Sequence, residues 1–222
     1  MKIVCIADLQ GQCKQIKPNM LPDGDILLVA GDMANNGTIQ ELEDVNSWFG
    51  ELKNKYRNII CVAGNHDQDL QDIDGHKLFT NAIYLQDELV EIEGVKIYGT
   101  PMAEMNELRM WYDWAFDSPA YLKKAAEDIP DGLDILLTHN PPWSILDQLA
   151  RNGQSVGSRD LFAKLEFMKK PPRVVVFGHI HECSGTKVRG NTLFVNAAIT
   201  DEYNTLFNRV GDLFHQPIVF NV

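Results

Sequence analysis

Five short polar clusters in this chain carry the residue types from which a metal centre is built. They are Asp8-Leu9-Gln10-Gly11, Gly31-Asp32, Gly64-Asn65-His66-Asp67, His139-Asn140-Pro141-Pro142 and Gly178-His179-Ile180-His181. Carboxylate and imidazole groups in this number exceed what one tetrahedral site needs, and they suit two adjacent divalent cations. Singly, each cluster has a plainer reading. An aspartate after a strand caps a turn, and a lone histidine is commonly a satisfied, half-buried side chain. Gly-His-x-His is more specific, because alternate residues of an extended segment project to the same side. The joint placement decides. His66, His139, His179 and His181 all follow apolar runs directly, whereas His76 and His215 do not.

Those apolar runs are Ile3–Ala7, Ile26–Ala30, Ile59–Ala63, Ile135–Thr138 and Val174–Phe177. Short, β-branched and non-alternating, they suit strands buried on both faces. Helical stripes lie between them: Leu42, Val45, Phe49 and Leu52; Leu161, Phe162, Leu165 and Met168; and the segment Ala120–Ile129. Strands alternating with helices predict an α/β fold with a largely parallel centre. In such folds the carboxyl ends of the strands line the ligand crevice, which places all five clusters on one edge. Glu88–Ile92 and Val95–Tyr98 read as an added hairpin, and Thr192–Val195 and Ile218–Val222 as further strands. Gly99–Trp114 has no period and reads either as a long loop near the site or as a cover over the core. The turn Pro22-Asp23-Gly24-Asp25 is echoed at Pro130-Asp131-Gly132-Leu133-Asp134, each feeding a buried strand. With no linker or low-complexity stretch between these halves, one domain over residues 1–222 is expected.

Composition narrows the function classes. Of 222 residues, 45% are hydrophobic and 23% charged, an ordinary globular balance. A net charge of -11 opposes an extended grip on nucleic acid, although bound cations stand outside that count. Cys5, Cys13, Cys61 and Cys183 form no CxxC pair and read as reduced thiols of a cytoplasmic protein. No apolar run approaches the roughly 20 residues that span a bilayer, so no membrane partner is expected.

Gly31-Asp32, Gly64-Asn65-His66-Asp67, His139 and Gly178-His179-Ile180-His181, in this order, resemble the signature of the calcineurin-like metallophosphoesterases. The turn at Pro22, Trp114-Ala115-Phe116, Thr138–Pro142, Phe177–Glu182 and Pro217-Ile218-Val219-Phe220 resemble its metallophosphoesterase-domain-containing (MPPED-type) branch, and the likeness runs from Met1 to Val222. The resemblance implies a two-sheet β-sandwich flanked by helices, with two divalent cations at the strand ends. Asp32 would bridge them, Asp8 and His181 would complete one site, and Asn65, His139 and His179 the other. Gln10 stands where the family pattern has histidine. Its amide oxygen is a harder donor, so this site leans toward Mn²⁺ or Mg²⁺, with Fe²⁺ and Zn²⁺ as further candidates.

The implied activity is phosphodiester hydrolysis of a small substrate, a cyclic nucleotide or nucleotide-like ester. A metal-bridging hydroxide is the expected nucleophile and His66 the general acid. Asp67 either orients His66 or caps the turn. Asn140, Trp143 and Arg159 are the candidate substrate contacts. A phosphomonoesterase or protein phosphatase uses much the same core, and Gln10 keeps open a slow nucleotide- or protein-binding module.

Overall fold

The computed structural model describes residues 1–104, 114–201, 203–208 and 212–222. In chain order the strands begin with β1 (Lys2–Ile6), β2 (Ile26–Ala30), β3 (Asn58–Val62), β4 (Ile83–Tyr84), β5 (Glu88–Ile92) and β6 (Val95–Thr100). They continue with β7 (Ile135–Thr138), β8 (Val174–Phe177), β9 (Gly185–Arg189), β10 (Thr192–Asn196) and β11 (Ile218–Asn221). The helices are α1 (Ile39–Leu52), α2 (Gly75–Leu78), α3 (Pro119–Asp128) and α4 (Arg159–Phe167). One sheet has the order β11-β1-β2-β3-β4 and the other β5-β6-β7-β8-β10-β9. β11, β5 and β9 pair antiparallel with β1, β6 and β10. The remaining pairings are parallel.

The pleat sorts each apolar run onto two faces. Ile3 and Cys5 of β1, Ile26 and Leu28 of β2, and Ile60 and Val62 of β3 meet Ile135, Leu137, Val174 and Val176 between the sheets. Their neighbours Val4, Ile6, Leu27, Val29 and Cys61 turn outward and pack with Leu42, Val45, Trp48, Phe49 and Leu52 of α1. On the opposite side, Leu136, Val175 and Phe177 pack with Leu122 and Ala125 of α3 and Leu161 and Leu165 of α4. Both faces of each central strand are therefore dry, and for that reason the runs do not alternate. α1 is started by a capping box, with Thr38 and Glu41 satisfying each other's backbone N–H groups.

The two-sheet sandwich flanked by helices is the expected architecture. The echoed turns feed β2 and β7, inner strands of opposite sheets. Sequence reading did not find β4, α2 and β9. The first two are very short, and β9 is a largely exposed polar edge strand with no hydrophobic face to read. Of the Gly99–Trp114 segment, Gly99 and Thr100 belong to β6, and residues 105–113 lie outside the described residues. No helix among the described residues is long and apolar enough to cross a membrane.

Candidate metal centre

All five polar clusters leave the C-terminal ends of β1, β2, β3, β7 and β8, and both sheets contribute to one edge. The sheets are joined there. Ala7 bridges to Ala198, and Ile199 N donates to Ala7 O at 3.1 Å. Within the first sheet, Asp8 N donates to Gly31 O at 3.1 Å and Gln10 N to Asp32 O at 3.0 Å. The glycines of the motifs make room for donors from other motifs. A Cβ on Gly64 would lie 2.3 Å from Asp32 Oδ1, and one on Gly178 would lie 2.3 Å from Asp8 Oδ2. Asp8, Gln10, Asp32 and His179 have φ of 59°, 47°, 51° and 70°, the left-handed region. Such residues cost on the order of 1–3 kcal/mol each and persist where surrounding structure enforces them. Here the strain falls on candidate donors.

The donor atoms converge in two groups. In the first, His181 Nε2 lies 3.2 Å from Asp8 Oδ1. In the second, ligand atoms of Asp32, His139 and His179 lie within 4.8 Å of one another. Asn65 Oδ1 joins this group, 3.0 Å from His139 Nε2. His139 Nδ1 donates to Ala30 O at 2.8 Å and His181 Nδ1 to Asp201 O at 2.8 Å. A carbonyl only accepts, so each neutral ring carries its hydrogen on Nδ1 and presents the Nε2 lone pair to the site, an arrangement typical of metal-binding histidine. Gln10 Nε2 donates to Asp32 Oδ2 at 3.1 Å, while Gln10 Oε1 is buried with no hydrogen-bond partner. A buried acceptor left open beside the Asp32 carboxylate fits a cation better than it fits a closed polar network.

The electrostatics agree with that fit. Burial opposes ionisation of Asp32, but the His139 charge and hydrogen bond prevail and hold the carboxyl well below its usual range. Burial lowers the pKa of His139 and of His181, yet Asp32 beside one and Asp8 beside the other raise both to about 9. His179 is pushed down to about 4 by burial and by His139, so its imidazole is neutral. Without cations, protons on His139 and His181 balance the carboxylates; bound cations would displace them.

A family model described as calcineurin-like phosphoesterase matches residues 1–183. The chain belongs to that family. Members of this family generally hold two divalent cations. Metallophosphoesterase domain-containing protein 1 of Homo sapiens is 35% identical, over 89% of this chain and 66% of that protein. A UPF0046 protein of Caenorhabditis elegans is 33% identical, over 100% of this chain and 75% of that protein. Among solved structures, a candidate 5'-nucleotidase from Staphylococcus aureus shares the fold, with a TM-score of 0.54 at 11% identity over 98% of this chain and 53% of that one.

In this chain the site opens into a cleft of about 180 Å³. Gln10, Asp32, Asn65, His66, His179 and His181 line it, with Glu182 and Asn204. The ring of His66 is held by its Nδ1, 2.6 Å from Asn35 O, and packs on Trp114 with centroids 5.1 Å apart. Asp67 is fully buried and accepts from Met33 N, Ala34 N and Gly64 N at 3.3, 2.8 and 2.8 Å. These bonds fasten the turn after β3 to the loop after β2, which is the turn-capping alternative. Burial and the charge of Asp32 raise the Asp67 carboxyl to about 7 against those bonds.

None of the three substrate-contact candidates lines this cleft. Asn140 is buried and accepts from Glu104 N at 2.9 Å, a loop-fastening role. Arg159 stacks on the Trp143 ring at 4.5 Å, where α4 begins. Glu182 and Asn204 were missed. Glu182 lay inside a quoted motif without being singled out, and Asn204 sits in a loop with no periodic signal. Asn35 acts through a backbone carbonyl, which side-chain identity does not reveal.

Proposed function

We propose that this chain hydrolyses phosphodiesters of the nucleotide class at a two-cation centre, with His66 as general acid. The observation carrying this reading is the shared cleft: both donor groups and the His66 ring face one small space. Asp8 and His181 would hold one cation, Asn65, His139 and His179 the other, with Asp32 between them and Gln10 Oε1 beside the first. Bound there, the pair would supply Lewis-acid polarisation of a phosphoryl group and acidify a water molecule. Hard oxygen donors beside only three imidazoles favour Mn²⁺ or Mg²⁺ over Zn²⁺.

The chain's own groups do the rest. The Asn35 carbonyl fixes Nδ1–H of His66, so a second proton can reside only on Nε2. From there it can pass to a departing alkoxide, the role of a general acid. Trp114 packs on the same ring and restricts its rotation. Asp67 keeps the His66 turn in register with Asp32, whose Oδ1 accepts from His66 N at 2.8 Å. Diester preference is supported by a relative from Nostoc sp. named as a 3',5'-cyclic-nucleotide phosphodiesterase, 24% identical over 72% of this chain and 57% of that protein.

The test compares bis(p-nitrophenyl) phosphate with p-nitrophenyl phosphate on the Mn²⁺-loaded protein. Faster diester turnover is expected. Preference for the monoester would reassign the chain as a phosphomonoesterase, and turnover of neither would favour the binding module.

A further inference from the structure

The cleft of about 180 Å³ has room for a phosphoryl group but little more. A larger pocket of about 430 Å³, a volume within the range of small-molecule sites, is bordered by Trp114. Trp114 lines this pocket, and its ring packs against His66, which lines the cleft. One pair of packed rings thus joins the linings of the two spaces, and one of that pair is the proposed general acid. A general acid touches the leaving group, and through Trp114 this pocket adjoins the ring that would do so.

The lining has a definite chemistry. Trp114, Phe116 and Tyr121 supply aromatic surface. Gln71 Oε1 accepts from Phe116 N at 3.2 Å, and Gln86 Oε1 accepts from the Tyr84 hydroxyl at 2.9 Å. Each carboxamide is oriented through its oxygen, which leaves its NH₂ as the available donor. Among the described residues no lysine, arginine or histidine lines the pocket, and the carboxylate that does, Asp117, is buried. A second phosphate would meet no cation among these described residues. A neutral planar ring with hydrogen-bond acceptors meets both aromatic faces and amide donors. Phe116 is held at φ 55°, a strained position that the Gln71 contact helps to fix.

We infer that this pocket is the subsite for the organic leaving group of the substrate, a nucleobase-class heteroaromatic ring. The inference rests on the proposed function for the location of the phosphoryl group, but not for the chemistry of the pocket.

The test uses adenosine, which has no phosphate, titrated by calorimetry into the full chain with and without Mn²⁺. Adenosine should bind, and chelation should not change its affinity, because none of the proposed metal ligands lines the pocket. Gln86→Leu removes one donor and should weaken binding about five- to tenfold. Gln71→Trp fills the pocket from its exposed rim and should abolish binding, with circular dichroism checking the fold of both variants. Adenosine should also compete with diester turnover in the loaded protein. If no diester is hydrolysed, the proposed function falls while the titration still decides the subsite. Failure of adenosine to bind the wild type, equal binding by both folded variants, or binding lost on chelation would each overturn it.

Discussion

The loops leaving β1, β2 and β3 present Asp8, Gln10, Asp32 and Asn65, all oxygen donors, whereas the loops leaving β7 and β8 present His139, His179 and His181. Each sheet thus carries half of the candidate donor set, and the set comes together only where the sandwich closes. The halves are also fastened differently. The first relies on a buried carboxylate, Asp67, taking three backbone N–H groups. The second relies on a neutral amide, Asn196, which donates to Ile180 O at 2.8 Å and accepts from Ala198 N at 3.2 Å. Where the two halves touch, carboxylate meets imidazole, at 3.4 Å for Asp32 and His139 and 3.2 Å for Asp8 and His181. Opposite charges on facing sheets let the edge hold together with or without cations.

The largest effect should come from emptying the seam. Exhaustive chelation, or Asp32→Ala, should abolish diester hydrolysis, and adding Mn²⁺ should restore the chelated wild type but not the variant. Undiminished turnover by metal-free protein would mean that the two halves form only a structural charge seam. Next in size is His66→Ala. It should keep metal content by elemental analysis and lose roughly 10²- to 10⁴-fold in rate on poor leaving groups, with less lost on p-nitrophenolate. An equal loss on both would make His66 a positioning group.

A smaller effect distinguishes the two halves by pH. In metal-free protein His139 and His181 have pKa values raised to about 9, against about 6.5 when unfolded. A raised pKa contributes stability that is fully present below about 6.5 and is lost as pH rises through about 9. Asp67, raised to about 7, brings its opposing penalty in mostly below pH 7, so it adds little to the slope above that. The metal-free protein should therefore lose on the order of a few kcal/mol between pH 7 and 9. Bound cations need the unprotonated rings, so the loaded protein should hold or gain stability over the same range. Thermal denaturation with and without Mn²⁺ across that window checks both slopes; parallel slopes would contradict the paired-charge account.

The central strands and the convergence of the polar clusters on one edge were legible because burial on two faces leaves an unmistakable run, and because each run ends at a residue that no buried strand would carry. β3 begins one residue earlier than its apolar run, at Asn58, since backbone pairing with Ile26 does not need an apolar side chain. Trp143 and Arg159 do not line the cleft, for a different reason. They follow His139 in sequence, but Trp143 N donates to Ser158 O and the chain turns toward α4, where the Arg159 guanidinium stacks on the Trp143 ring. The role of Asn35, and the size of the pocket beside Trp114, depend on backbone position and on what neighbouring elements leave open. No residue type announces either.

The smallest expected effect tests the departure at Gln10. This residue is the only one of the oxygen half whose side chain both donates to Asp32 and keeps a buried oxygen without a partner. A neutral amide oxygen at that position is a weaker donor for borderline cations than imidazole, so the Asp8–His181 site should be the weaker of the two. Gln10→His should raise Zn²⁺ affinity there by about tenfold, comparable to the effect of changing a ligand's supporting shell, and bring occupancy toward two per chain at limiting metal. Asp8→Ala should do the reverse, emptying that site while sparing the one around Asn65, His139 and His179. The left-handed backbone at Gln10, φ 47°, is a constraint on the first variant, because histidine accepts it at some cost, and circular dichroism must show the fold unchanged. Activity need not follow occupancy, since a more tightly held cation also retains product phosphate. Calorimetric metal titration of wild type and both variants is the measurement. Tight binding of two equivalents by the wild type, unchanged by Gln10→His in affinity and in metal preference, would show that the amide is already a full donor and that the two halves are matched despite their different chemistry.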